Sequence, residues 1–142
     1  MPYIDIKTNV KIDDTSAKEL QAMFGREIEL IPGKTEKWLM TGITDGIRMS
    51  MAGSDEPCVF VNVMIFGKAS AEAYDRLTAS LCEKLSGALG MPADRIYVKY
   101  EEASVWGWNG MNFGREIWQA EFSTVSLSLC GIGTGRCLMT FG

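Results

Sequence analysis

Pro2 and Pro57 each open the same succession of elements, and that repetition narrows the available architectures more than any other property of the chain. A proline is tolerated at the first position of a strand, because no ladder hydrogen bond there needs its missing N–H. After Pro2, Tyr3-Ile4-Asp5-Ile6-Lys7 alternates with the period of a half-buried strand. Asn9, Asp13 and Asp14 then mark a turn and a helix cap, and Ser16-Ala17-Lys18-Glu19 has capping-box spacing. Ala17, Leu20, Met23, Phe24, Ile28 and Ile31 keep a helical stripe over 15–31, which Pro32-Gly33 ends. A second strand is expected over 37–44. Asp45-Gly46 has hairpin chemistry, and the alternation of Ile47 to Ala52 predicts a returning strand.

The succession then recurs. Cys58 to Phe66 is a mostly apolar strand suited to a sheet interior. Gly67-Lys68-Ala69-Ser70 turns into a helix over 70–89, with a core stripe of Tyr74, Leu77, Leu81, Leu85 and Leu89. Gly90-Met91-Pro92 ends it, and Ile96 to Tyr100 is the strand that follows. Two such βαβ units predict an α+β fold, an α/β sandwich. Its four-stranded mixed sheet carries both helices on one face. The other face stays uncovered and includes hydrophobic side chains, so further copies of the chain are expected to cover it.

The chain has 142 residues, enough for one domain with a substantial core. Its net charge of -4 offers no electrostatic support for a nucleic-acid partner. No apolar run approaches the ~18 residues of a membrane span. The N-terminus lacks a basic segment followed by an apolar core, so the expected location is the cytoplasm, with leaderless export compatible. The four cysteines, Cys58, Cys82, Cys130 and Cys137, form no C-x-x-C pair and read as buried thiols. There is no histidine. That removes Ser-His-Asp and Cys-His catalysis and H-E-x-x-H zinc sites. Gly131-Ile132-Gly133-Thr134-Gly135 fails the dinucleotide-binding spacing. Any proton-transfer group must be an amine, a carboxylate, a tyrosine or a thiol.

Pro2 has two readings. It is a plain strand-start residue, or, with Met1 removed, it carries a secondary amine held by a strand. An α-amino group titrates near ~7.7–8 and apolar burial lowers it, which makes a base usable at neutral pH. Lys34, after the Pro-Gly helix stop, is a solvated loop lysine or an anion ligand. Trp106 and Trp108 flank Gly107 as core, interface or pocket aromatics. From Gly114 onward Ser, Thr, Gly and Cys dominate, and Phe122 to Leu129 alternates like an added strand.

In this order, Met1-Pro2 with its strand, Gly33-Lys34, Ser54-Asp55-Glu56-Pro57-Cys58, Phe66-Gly67-Lys68, Pro92-Ala93-Asp94-Arg95-Ile96-Tyr97 and Gly107-Trp108-Asn109 resemble the macrophage migration inhibitory factor group of the tautomerase superfamily. The resemblance spans 1–113 and makes that stretch one domain, with 114–142 as a C-terminal extension. It implies a homotrimer with active sites between subunits, and no metal or other cofactor. The implied activity is keto–enol tautomerisation of phenylpyruvate-like 2-oxo acids and dopachrome-like compounds. Pro2 would be the general base and Lys34 the carboxylate ligand. Tyr97 would come from the neighbouring subunit, and Phe66 would be an apolar pocket residue. Ile65, through its backbone N–H, together with Lys99 and Trp108, completes the expected substrate-binding set. The alternative implied by the same family is a cytokine-like or regulatory binding protein with vestigial catalysis, acting on a receptor the sequence does not name. Two departures stand out. Cys58-Val59-Phe60-Val61 lacks the C-x-x-C of the vertebrate cytokine, and Lys99 stands where an asparagine is usual, adding positive charge beside an anionic substrate.

Overall fold

The computed structural model describes residues 1–114. Strand β1 (Pro2–Thr8) leads to helix α1 (Asp14–Glu27), a 3-10 turn at Ile28–Leu30, another at Glu36–Trp38, and strand β2 (Met40–Thr44). Strand β3 (Val59–Phe66), helix α2 (Ala71–Leu89), a 3-10 turn at Ala93–Arg95 and strand β4 (Ile96–Ala103) repeat the plan. The sheet order is β2-β1-β3-β4. β1 runs parallel to β2 and antiparallel to β3, and β3 runs parallel to β4. The two βαβ units therefore join through their first strands.

Alternation decides the faces. Ile4, Ile6, Val61, Val63 and Ile65 are fully buried on one face, in one core with Leu20 and Phe24 of α1 and Leu77, Leu81 and Leu85 of α2. Both helices thus cover the same face. The other face presents Tyr3, Asp5, Phe60, Asn62, Met64, Tyr97, Lys99 and Glu101, none of them buried. Glu27, only 8% exposed, ties the end of α1 to α2: it accepts from Ser80 at 2.6 Å and pairs with Lys84.

The helix ends follow local chemistry. Ser70 caps α2 by accepting from the Ala73 N–H, and Gly90 closes it at φ 70. For α1 the cap is Asp13, which accepts from the Ser16 N–H at 2.7 Å, rather than the Ser16–Glu19 box. The carboxylate lies one position before the helix and also faces its positive end. α1 stops at Glu27, short of the expected Ile31, because its last turn tightens to 3-10 geometry.

The returning strand after Asp45-Gly46 does not form. Asp45 accepts from the Ile12 N–H at 2.7 Å, Gly46 donates to the Val10 carbonyl, and Ile47 donates to the Thr8 carbonyl. The chain is drawn onto the end of β1 instead of folding back on β2. The loop that follows satisfies its carbonyls with side chains. The Arg95 guanidinium donates to Met51, Ser54, Glu56 and Pro57, while Asn9 donates to Asp55 and Glu56. β2 is also shorter than expected, since Glu36–Trp38 is a 3-10 turn and only Met40–Thr44 finds partners on β1.

Cys58 is buried and Cys82 half-buried, both as thiols. A separate unit begins at Ser104. In it, β5 (Trp106–Trp108) and β6 (Met111–Phe113) form a hairpin through Asn109 and Gly110, both at positive φ, as a type I′ turn requires. The expected strand at 122–129, Cys130, Cys137 and the extension beyond Gly114 lie outside the described residues. Among the described residues, no helix is long and apolar enough to cross a membrane.

Candidate active site

The start of β1 and the end of β3 meet in antiparallel register, Pro2 opposite Ile65. Phe66 closes this end of the ladder with both of its backbone groups. Its N–H donates to the Met1 carbonyl at 3.1 Å, and its carbonyl accepts from Lys34 Nζ at 2.7 Å. Lys34 arrives there through a tight turn, in which Gly33 adopts φ 82 and the Lys34 N–H donates to the Ile31 carbonyl. The Met1 α-amine lies against the Lys34 side chain. Burial first, and then the Lys34 charge and hydrogen bond, hold that amine below its ordinary value of 8.0. Burial also lowers Lys34. The effect is one-sided: the Lys34 charge disfavours a proton on the α-amine, while the hydrogen bond with that amine favours the proton on Lys34.

One copy of the chain therefore brings together Pro2, Lys34, Ile65 and Phe66. The amide at this corner is Phe66's and not Ile65's, as the sequence reading had it. Successive N–H groups on a strand point to opposite sides, so Ile65 directs its own toward β4. Counting the period from the Met1 carbonyl would have found this.

Tyr97 and Lys99 do not join that corner within one copy. They pair with Phe60 and Asn62, five and three positions back along β3 from Ile65. At ~3.3 Å per residue that is roughly 16 and 10 Å along the strand. They also face the open side of the sheet, while Pro2 and Ile65 face the helices. Tyr97 is 60% exposed, and Lys99 pairs with Glu101 at 2.6 Å. Trp108 sits in the hairpin unit, tilted against Phe113 with ring centroids 6.3 Å apart.

Two other features went unread in the sequence. Gly42 leaves room for Tyr3, since a Cβ there would stand 2.5 Å from the Tyr3 hydroxyl and 3.1 Å from Asp5 Oδ1. A cleft of about 330 Å³ between α1 and α2, lined by Leu20, Met23, Arg26 and Lys84 among others, contains none of the residues of the corner. Among the described residues, no group of three or more His, Cys, Asp or Glu is placed to hold a metal ion.

The family model of macrophage migration inhibitory factor (MIF) matches residues 1–114. The chain belongs to that family. It is 30% identical over 118 residues to the macrophage migration inhibitory factor of Xenopus laevis, covering 80% of this chain and 99% of the relative. Among solved structures, Leishmania major MIF2 is similar with a TM-score of 0.75 at 32% identity, covering 80% of this chain and 97% of that one. The Prochlorococcus marinus homologue gives a TM-score of 0.71 at 34% identity, covering 79% and 99%. The α+β fold with a four-stranded mixed sheet and two helices is the fold of this family.

Proposed function

We propose that the protein is a keto–enol tautomerase, with Pro2 as the general base once Met1 is removed and phenylpyruvate-like 2-oxo acids or dopachrome-like compounds as substrates. One observation carries the reading: Lys34, the Phe66 amide and the chain's terminal amine share one corner, where burial and Lys34 lower the amine's proton affinity. With Met1 gone, the terminal amine is that of Pro2, a buried residue at the same corner. A base working near neutral pH needs that depression.

The chemistry is a proton transfer in two steps. The neutral Pro2 nitrogen takes the proton from the carbon next to the keto group, leaving an enolate, and then returns it to the oxygen as the enol forms. Lys34 Nζ offers a point charge to the substrate carboxylate. The Phe66 N–H exchanges the Met1 carbonyl for the same carboxylate. MIF-family homologues typically form trimers. In a trimer of this chain, Tyr97 and Lys99 would reach the corner from a neighbouring copy, which fits their exposure and their distance from their own Pro2.

The test is turnover of phenylpyruvate by protein whose intact mass shows Met1 absent. The parent should tautomerise it and Pro2→Gly should not. Unchanged turnover in that variant sinks the proposed base. No turnover in the parent favours the receptor-binding alternative.

A further inference from the structure

We infer that Glu102 and Tyr74 are positioning residues for this corner, holding the turn that carries Phe66. The inference deepens the tautomerase reading and rests on it for its kinetic consequence.

Phe66 is the last residue of β3, and the turn after it is tied down at several points. Gly67, at φ 88, donates its N–H to the Ala103 carbonyl at 2.9 Å. The Ala69 N–H donates to Glu102 Oε2 at 3.3 Å. The same carboxylate oxygen accepts from the Tyr74 hydroxyl at 2.7 Å. Tyr74 belongs to the first turns of α2, and its ring stacks on Tyr100 with centroids 4.3 Å apart. The Tyr100 hydroxyl meets Thr78 at 2.8 Å and donates to the Tyr74 carbonyl at 3.2 Å. One carboxylate thus fastens the end of β4 to the turn and to the start of α2. Because Glu102 pairs with Ile65 and Ile65 with Pro2, Glu102 lies in Pro2's own cross-strand row. It sits two strand spacings away, roughly 10 Å.

The amide and carbonyl of Phe66 move as one peptide neighbourhood. If the turn swings, the seat of Lys34 and the donor for the substrate carboxylate shift together. Charge-assisted hydrogen bonds suit this duty, being shorter and stronger than neutral ones. The titrations agree with the contacts. The Tyr74 hydroxyl is pushed up to about 12, first by burial and then by Glu102, and the bond from Tyr74 holds the Glu102 carboxyl below its usual range.

The test uses the full chain with Met1 removed, in three variants. Tyr74→Phe keeps the ring on Tyr100 and deletes only the hydroxyl. Glu102→Ala deletes the acceptor, and Glu102→Gln restores one. Amide exchange at Gly67, which donates to the Ala103 carbonyl, and at Ala69 is read by NMR against the core amide of Leu81, and phenylpyruvate KM is read against kcat. Tyr74→Phe and Glu102→Ala should quicken exchange at Gly67 and Ala69 but not at Leu81. Both should raise KM about 3- to 10-fold with kcat within about twofold, and Glu102→Gln should bring both readouts back toward the parent. Parent-like exchange at Gly67 in Tyr74→Phe and Glu102→Ala overturns the inference. So does a Glu102→Gln chain that behaves like Glu102→Ala, because an acceptor in the right place would then not suffice. Should Glu102→Ala fail to fold, Tyr74→Phe decides. Should even the parent show no turnover, the tautomerase reading falls and the exchange rates alone decide the positioning role.

Discussion

Lys34 is the side chain on which the corner's electrostatics turn. Its ammonium is seated on the Phe66 carbonyl, and, after burial, its charge lowers the proton affinity of the Met1 α-amine. Lys34→Ala should therefore do two separable things. Losing a charge-assisted bond to the substrate carboxylate should raise KM about 10- to 100-fold. Removing a nearby cation should also let the terminal amine hold its proton to higher pH, moving the acid limb of the rate profile upward. Steady-state kinetics across pH checks both. A variant with raised KM and an unmoved limb would show that Lys34 binds substrate without tuning the base. Pro2 and Lys34 each had two readings in the sequence, and the family resemblance favours the proposed base and carboxylate ligand. The Phe66 amide was not legible. Backbone donors carry no residue identity, and only the register of β1 against β3 shows which amide faces the chain start.

The helices were the most readable elements, because their boundaries are written in adjacent residues. Ser70, Gly90 and the Tyr74–Leu77–Leu81–Leu85 stripe place α2 almost unaided. Replacing the Ser70 cap with alanine removes the acceptor for the Ala73 N–H and should cost about 1 kcal/mol of stability, measurable by urea unfolding. A loss well below that would mean that tertiary packing, not the cap, fixes the start of α2. The strand expected over Ile47 to Ala52 shows the opposite case. Its alternation and its Asp-Gly turn are local signals for a hairpin. What decides the segment is non-local: Thr8 and Val10 take its first N–H groups, and Arg95 takes the carbonyls further on. No window of neighbouring residues contains those partners.

At the scale of the molecule, the repeat of two βαβ units was enough to foresee the mixed sheet and the shared core with both helices on one face. Leu81 is fully buried in that core, between α2 and the sheet. Leu81→Ala should cost about 2–5 kcal/mol and lower the urea midpoint without altering contacts at the corner. The helix-free face of the sheet does not meet Pro2 within one copy. Tyr97 and Lys99 lie on it, toward the other end of the sheet from Pro2, so their proposed role belongs to an assembly. Their spacing in the sequence says that they share a face but not whose Pro2 they would meet.

The central claim is that the terminal amine of Pro2 is a proton carrier held neutral by its surroundings. It is tested most directly by titrating that amine, with Met1 removed and Pro2 labelled with nitrogen-15, and comparing the midpoint with the acid limb of kcat/KM for phenylpyruvate. A group whose pKa is lowered in the folded chain is neutral over a window below its ordinary value. Activity should therefore rise with pH through that lowered pKa and level off above it. The Met1 α-amine is lowered at this corner, so the Pro2 amine that takes its place is expected to titrate below its ordinary value, with one midpoint in both measurements. An amine that titrates at or above its ordinary value, or a rate profile that ignores the amine's midpoint, would contradict it.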